Sequence, residues 1–314
     1  MRLVSADEIH RLLDLPSLVA ALRVAFQQGC ELPSRHHHEI ATPGGAPAGM
    51  LLLMPAWQVG GHLGVKIVTI FPDNAAQSLP AVLGSYLLLD AGTGMPLALF
   101  DGTSLTLRRT AAASALAADF LARPDASRHL MVGTGALAPH LIAGHAAVRP
   151  IREVRIWGRH PEKAAALAAQ LRGGAFDVAP VEDLRQAAGE ADIVTCATLS
   201  HEPLIHGEWL RPGTHLDLVG GYTPEMREAD DEAVRRSRVF VDTRLGATAE
   251  AGDILKPLRS GALTWERILG DLFELTRGTA HGRREADEIT FFKSVGSAVE
   301  DLAAARLAFS RLGD

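Results

Sequence analysis

The chain of 314 residues holds two cysteines, Cys30 and Cys196. Two are too few for a disulfide framework or a thiolate metal site. It has no basic run, and its formal charge is −6, which argues against a nucleic-acid surface. No uninterrupted apolar run approaches the ~20 residues that a membrane span needs. The opening "MRLVSADEIHRLLD" carries acids and has no apolar h-region, so no signal peptide is expected. Internal repeats, low-complexity segments and flexible linkers are missing too. Apolar residues make up 47% and charged residues 22%, ordinary for a globular protein. The expectation is a cytoplasmic protein long enough for two domains, with neither nucleic acid nor membrane as partner.

What is there falls into two patterns. Ser5-x-x-Glu8 reads as a capping box opening a short helix. A second helix follows Pro16 and stops near Gly29, with Leu18, Leu22 and Phe26 on one stripe. Residues 48–101 change to strand character: "GMLLLMPAW", "GHLGVKIVTIF" and "VLGSYLLLD" are apolar runs, and "DAGTG" has turn chemistry before "MPLALFDG". Residues 105–122 are alanine-rich and helical. From residue 128 short apolar strands ("HLMVG", "EVRIWG", "FDVAP", "DIVTCAT", "THLDLVG", "RVFVDT") alternate with helical stretches. That alternation implies a parallel sheet covered on both faces. The last stretch, "VGSAVEDLAAARLAFSRL", is a long helix that returns to the first domain. The expected fold is α/β: a Rossmann-type doubly wound parallel sheet over 125–293, plus a second α+β domain with a mostly antiparallel sheet, built from 1–124 and 294–314.

The stretch "HLMVGTGALAPHLIAG" (129–144) runs from strand through two glycines into helix. Gly133-x-Gly135-x-x-Ala138 is a weak signal alone, but its place after the first strand of the β/α run is the context a dinucleotide turn requires. Gly133 permits the tight turn, Gly135 lets the backbone approach a pyrophosphate, and Ala138 allows close helix–strand packing. The helix N-terminus offers free N–H groups and positive dipole to the phosphates. Thr134, Ala136 and Leu137 belong to the same turn, and Gly158, His160, Thr198, Val219 and Gly220 follow later strands of the sheet. The second strand ends in "IWGRHPEKA", with Arg159 where an acid would bind a ribose 2′-OH. A carboxylate there repels a 2′-phosphate and an arginine can pair with one. NADP(H) is therefore favoured over NAD(H), against the bland alternative of a solvated loop arginine.

Three cations stand out in the first domain. Strand alternation puts Lys66 beside Gly64, Val68 and Ile70 on one face, where it needs an anionic partner or a lowered pKa, unless it snorkels from a strand edge. Arg108 and Arg109 fall in what reads as the first turn of a helix, an unfavourable place for cations. Either an external anion completes that site, or Asp101 or Asp119 pairs with them. Arg35, in "LPSRHHHE", is a weaker candidate. The histidines at 36–38 suggest no metal, since at most His36 and His38 share a strand face and no ligand spacing accompanies them. No G-x-S-x-G elbow supports a serine nucleophile.

With these residues in view the sequence resembles the ornithine cyclodeaminase/mu-crystallin family. The resemblance runs from "PSRHHH" through "GVKIV", "LRRTAAASALA", "VGTGALA", "VRIWGR" and "HLDLVGGYTPEMREAD" to "TFFKSVGSAVEDLAAA". It implies a homodimer whose substrate domain is built from both chain ends around an inserted Rossmann domain. It also implies that Arg35, Lys66 and Arg109 hold a substrate carboxylate, and that Lys293, Val295 and Gly296 approach the nicotinamide. The family contains cyclodeaminases, cyclic-ketimine reductases and alanine dehydrogenases. Cyclodeaminases resemble one another in a carboxylate directly after "VGG", where this chain has Tyr222, and in a hydroxyl after "LP", where it has Ala81. Tyrosine, with an unperturbed pKa of ~10, is no carboxylate base. The expectation is an NAD(P)H-dependent reductase of Δ1-pyrroline-2-carboxylate or its six-membered homologue, with Tyr222 supplying a hydroxyl or only packing. Ornithine cyclodeamination and non-catalytic NADP(H) binding are the alternatives. A complex in which Lys66 and Arg109 point away from the nicotinamide ring, or are pinned by internal aspartates, would overturn the assignment.

Overall fold

A computed structural model of the chain describes residues 1–42, 47–77 and 79–313. Its first elements are β1 (Arg2–Val4), α1 (Ala6–Leu12), α2 (Leu15–Gln28), β2 (His36–Ala41), β3 (Pro47–Trp57), β4 (His62–Ile70), β5 (Val82–Asp90), β6 (Pro96–Asp101) and α3 (Gly102–Leu121). An alternating run follows: β7 (Arg128–Val132), α4 (Ala138–Val148), β8 (Glu153–Trp157), α5 (Pro161–Leu171), β9 (Asp177–Pro180), α6 (Leu184–Glu190), β10 (Ile193–Cys196) and β11 (His215–Leu218). The chain ends with α7 (Asp231–Arg236), β12 (Ser237–Val241), α8 (Arg244–Glu250), α9 (Gly252–Ser260), β13 (Ile268–Asp271), α10 (Leu272–Arg277), β14 (Ile289–Lys293) and α11 (Ala298–Ser310). It divides into two compact units, Met1–Arg109 with Ala298–Asp314, and Thr110–Ser297. The first division falls inside α3, not after residue 124, because one continuous helix with no linker chemistry serves both units.

The first unit carries a six-stranded sheet ordered β1-β6-β5-β4-β3-β2, antiparallel except for the parallel β1–β6 pair. The Ser5–Glu8 capping box forms reciprocally. Gly29 ends α2 with φ 78°, the left-handed backbone that glycine adopts without strain. Helix α3 starts a turn earlier than its alanine run suggested. Asp101 accepts the Ser104 amide at 2.7 Å, and a Cβ on Gly102 would lie 2.5 Å from the Gly84 carbonyl carbon, so only glycine brings the chain that close to β5. Arg109 consequently sits two turns into the helix, and the unfavourable first-turn placement does not arise.

The second unit carries an eight-stranded, all-parallel sheet ordered β13-β12-β14-β11-β10-β7-β8-β9. One face packs Leu130, Val194 and Leu216 against Ala187, Ala188 and Val234 of α6 and α7. On the other face His145 of α4 and Ser114 of α3 both reach Asp217 in β11, at 3.0 and 3.2 Å. Those two bonds are the partners that this buried strand aspartate requires. The chain runs outward through β7, β8 and β9, then returns to β10 on the other side of β7. That reversal opens a crevice beyond the carboxyl ends of β7 and β10, where ligands bind in open α/β sheets. Strands β13 and β14 were not expected. The sequence "ITFFK" of β14 is buried throughout, so it shows no alternation to mark it as strand.

Candidate functional site

Among the described residues the candidate side chains gather in both units, and they grow from sheet positions. In the first, alternation along β4 turns Gly64 and Lys66 to the buried face. A Cβ at Gly64 would lie 1.9 Å from the Tyr86 hydroxyl, so glycine makes room for the tyrosine whose backbone pairs with Lys66. Lys66 Nζ lies 2.7 Å from Asp301 Oδ2. From α3, Arg109 Nε donates to Asp301 Oδ1 at 3.0 Å and Nη1 to Glu300 Oε2 at 2.7 Å. Lys66 and Arg109 are 4% and 6% exposed, and both acids are fully buried.

The internal partners are therefore Glu300 and Asp301, not Asp101 or Asp119. Asp101 caps α3, and Asp119 accepts from Arg149 at 2.9 Å. Arg108 is spent on the Leu13 carbonyl, to which Nε donates at 2.9 Å. The pinning does not saturate the cations: two of the five N–H donors of Arg109 are engaged, and the rest make no bond among the described residues. Burial works against the charge of Arg109, but the fields of Asp301 and Glu300 outweigh it and raise its pKa. Lys66 is pulled down to about 8, by burial first and then by Arg109, with Arg35 adding repulsion and Asp301 opposing. Lys66 and Arg109 meet at Asp301, and the field of Arg35 adds to the repulsion on the Lys66 proton. The cluster offers unspent donors, fixed positive charge and an ammonium poised to give up its proton near neutrality.

In the second unit, Gly133 has φ 121°, and a Cβ there would sit 2.6 Å from the Ala197 carbonyl oxygen. Above Gly135 no atom lies within 4 Å of an added Cβ, so that stretch of backbone is open to a ligand. Ala138 is fully buried at the start of α4, whose N-cap, Leu137, makes no side-chain capping bond. The first amides of α4 thus lack the usual side-chain acceptor. A cavity of about 310 Å³ is lined by Gly133, Thr134, Gly158, Arg159, His160 and Thr198. Lys163, which the sequence reading passed over, lines it too, and no acid does. A glycine turn under an uncapped helix start, with basic groups beyond β8, fits a dinucleotide phosphate chain.

The remaining expected residues lie at neighbouring strand ends. Val219 and Gly220 are held by the Cys196 carbonyl, with N···O distances of 2.8 and 3.3 Å. Lys293 is fully buried, donates to the Gly220 carbonyl and lies 3.3 Å from Asp253 Oδ2. The amides of Val295 and Gly296 both donate to Asp242 Oδ2, at 2.8 and 2.7 Å, so this segment is tied down by the residue that follows β12. Tyr222 is 40% exposed after β11.

The acids Glu228 and Asp253 were missed as well. Glu228 Oε1 accepts the Thr198 amide at 2.7 Å and its hydroxyl at 2.8 Å. Asp253 Oδ1 accepts the amides of Glu228 and Ala229 at 2.8 and 3.1 Å. Burial, with help from Asp253 and against Lys293, pushes the Glu228 carboxyl up to about 7. One signal pointed to Glu300 and Asp301. The helix sequence "AVEDLAAARLA" is apolar or small nearly all round, so it must be buried and carry its acids inside with it.

A family model described as ornithine cyclodeaminase/mu-crystallin matches residues 2–314. The chain is 42% identical to a Δ1-pyrroline-2-carboxylate reductase of Paracoccus denitrificans over 88% of each chain. The structure of the Thermococcus litoralis Δ1-pyrroline-2-carboxylate reductase with NADH and L-proline superimposes with a TM-score of 0.91. It is 34% identical, with 99% of this chain and 97% of that one covered. An archaeal alanine dehydrogenase dimer with bound NAD gives a TM-score of 0.90 at 27% identity, with 99% and 95% covered.

Proposed function

The chain belongs to the ornithine cyclodeaminase/mu-crystallin family, and on that premise we propose that it is an NAD(P)H-dependent reductase of cyclic ketimine carboxylates, of the Δ1-pyrroline-2-carboxylate and Δ1-piperideine-2-carboxylate type. The observation that carries the reading is the buried Lys66–Arg109 pair with donors left over after its internal acids are served. Arg109 and Arg35 hold the substrate carboxylate, Arg109 through a planar fork suited to it. Lys66, ionised below about 8, completes the clamp and gives its proton to the ring nitrogen as that nitrogen becomes an amine. NAD(P)H, when bound, supplies the hydride. The turn from Gly133 to Ala138 receives the pyrophosphate, Thr198 and Gly220 position the nicotinamide end with Lys293, Val295 and Gly296 behind them, and Tyr222 offers a hydroxyl. Fixing a planar acid in one orientation is the main service such a site renders when the cofactor owns the chemistry.

Arg159, His160 and Lys163, with no acid among the cavity's lining residues, support NADP(H) as the preferred cofactor over NAD(H). The names of the Paracoccus and Thermococcus relatives support the substrate class. A homodimer is supported by the sheet face turned away from Lys66. There, in register, Pro55, Val65, Leu87 and Leu99 form a half-buried apolar row, the kind of patch a second copy covers. The related alanine dehydrogenase is a dimer.

The test is direct. Enzyme, NADPH and Δ1-pyrroline-2-carboxylate, mixed at neutral pH, bleach the cofactor absorbance at 340 nm and yield proline. A chain that oxidises neither NADPH nor NADH with five- or six-membered imine acids in excess is not this reductase.

A further inference from the structure

We propose that Glu228 is a positioning residue for the dinucleotide: it makes the Thr198 hydroxyl a pure acceptor, which takes a hydrogen-bond donor from the nicotinamide half of NAD(P)H. The inference rests on the dinucleotide part of the reductase reading and deepens it.

The assignment comes from counting protons and lone pairs. Glu228 is fully buried, and its Oε1 accepts both the Thr198 amide, at 2.7 Å, and the Thr198 hydroxyl, at 2.8 Å. A hydroxyl owns one proton and two acceptor sites. The proton goes to Glu228, and the Ser200 amide takes one acceptor site at 3.3 Å. Among the described residues nothing takes the other, and it belongs to a half-buried side chain that lines the cavity of about 310 Å³. Glu228 Oε2 meets no donor among the described residues. A proton bound there leaves Oε1 an acceptor, so Thr198 keeps its role whether Glu228 is ionised or not.

The surrounding backbone leaves Glu228 little room to release Thr198. Asp253 Oδ1 accepts the amides of Glu228 and Ala229 at 2.8 and 3.1 Å, which fixes the chain at the glutamate. On its other side a Cβ at Gly220 would lie 2.4 Å from Glu228 Oε1 and 2.1 Å from the Thr198 carbonyl oxygen. The Gly220 carbonyl in turn accepts from the buried Lys293. The loops after β10 and β11 are thus packed around one carboxyl oxygen.

Strand order says which half of the cofactor reaches that oxygen's partner. The pyrophosphate belongs at the Gly133–Ala138 turn after β7. Strand β8 flanks β7 on one side and β10 on the other, and Arg159 and Lys163 mark the β8 side as the adenosine end. A dinucleotide laid across the crevice therefore brings its nicotinamide half over β10, which Thr198 follows. The donors on that half are the carboxamide N–H groups and the ribose hydroxyls.

Calorimetry on the full chain compares NADPH with 2′,5′-ADP, which lacks the nicotinamide half (NADH and 5′-ADP, should NADH bind tighter). Thr198→Val deletes the hydroxyl but keeps the amide and the shape. It weakens the dinucleotide by about three- to ten-fold and leaves the adenosine fragment unchanged. Glu228→Leu has the same selective effect, and Glu228→Gln, which retains an oxygen that accepts from Thr198, restores most of the affinity. Combining Glu228→Leu with Thr198→Val costs no more than either change alone, because the two residues act through one contact. Dinucleotide affinity unmoved by Thr198→Val, equal losses for dinucleotide and fragment, or additive losses in the double variant overturn the assignment. Should Glu228→Leu fail to fold, Thr198→Val and Glu228→Gln carry the decision. The 3-acetylpyridine analogue, which has no carboxamide N–H, separates the two donors. Thr198→Val leaves its affinity unchanged when the carboxamide is the donor and lowers it when a ribose hydroxyl is, and either result supports the acceptor. Binding reads no turnover, so a chain that binds NADPH but reduces no imine contradicts the reductase reading alone. A chain that binds neither NADPH nor NADH overturns both.

Discussion

The two buried charge clusters, around Lys66 and around Lys293, differ in their balance of cations and acids. Around Lys66 two cations meet two acids, and the remaining donors on Arg109 make no bond among the described residues. Around Lys293 two acids, Glu228 and Asp253, face one cation, and the unspent groups are carboxylate oxygens, Glu228 Oε2 and Asp253 Oδ2, without a hydrogen-bond donor. Burial moves both titrating members toward neutrality, Lys66 down to about 8 and Glu228 up to about 7, as the cost of a buried charge requires. Asp242 marks a third condition: its two oxygens accept three backbone amides, from Thr243, Val295 and Gly296, and nothing is left over. Spare donors suit an anion from outside, whereas spare carboxylate oxygens suit a proton or a donor, and the second cluster ties Thr198 and Gly220 in place.

Removing one cation from each cluster should break the comparison hardest. Arg109→Ala takes the guanidinium away from Glu300 and Asp301, and Lys293→Met takes the ammonium away from Asp253. Breaking a buried pair from one side costs about 3–5 kcal/mol, so both variants unfold at lower urea than the wild type at pH 7.5. Only Arg109→Ala loses a substrate ligand. Its kcat/KM for Δ1-pyrroline-2-carboxylate falls by about 10²–10³-fold, whereas Lys293→Met weakens dinucleotide binding, measured by fluorescence quenching. If Lys293→Met matches that loss in kcat/KM with an unchanged dinucleotide Kd, the division of labour is wrong.

A smaller effect separates the clusters by pH. The folded-state pKa of Glu228 lies above its unfolded value, so below the unfolded value the folding free energy is unaffected by it. Between the two values the native state binds the extra proton, and stability falls as pH rises from the ordinary carboxyl range through about 7, at up to about 1.4 kcal/mol per pH unit. Glu228→Gln should hold its thermal midpoint better than the wild type between pH 6 and 8.5. The buried histidines act on the other side. Burial first, and neighbouring charges after it, hold His129 and His215 well below their usual range, so stability falls as pH drops below ~6.5. A Glu228→Gln midpoint that declines as steeply as the wild type's toward alkaline pH places the titration elsewhere.

Sequence periodicity carried far in some places and stopped short in others, for local reasons. The glycine turn was legible because Gly133 and Gly135 sit between a clean strand and a clean helix pattern. The antiparallel sheet was legible from its turn chemistry at Asp90–Gly94, where Asp90 accepts the Gly92 and Thr93 amides. Strand β14, fully buried between β11 and β12, carried no alternating signal. Lys66 could be placed by alternation alone. Its partner could not, because Asp301 lies 235 positions away, and adjacent acids in a helix's first turn most often stabilise the helix dipole in solvent. Glu228 was hidden in the same way, inside the loop segment "TPEMREAD".

Arg159 supplies the smallest effect and the sharpest contrast. It is exposed after β8 on the rim of the cavity, and no acid holds it among the described residues. A solvated cation is worth far less than a buried one, so Arg159→Ala leaves the thermal midpoint unchanged. Facing a 2′-phosphate it forms charge-assisted hydrogen bonds partly screened by water, and Lys163 stays behind to share the load. The KM for NADPH should therefore rise about five- to ten-fold while that for NADH stays fixed, and the difference should shrink as salt is raised from 50 to 500 mM. Equal changes for both cofactors would instead mean that Arg159 meets a phosphate common to the two, and a wild type that favours NADH would leave the basic rim of the cavity without a role in choosing between them.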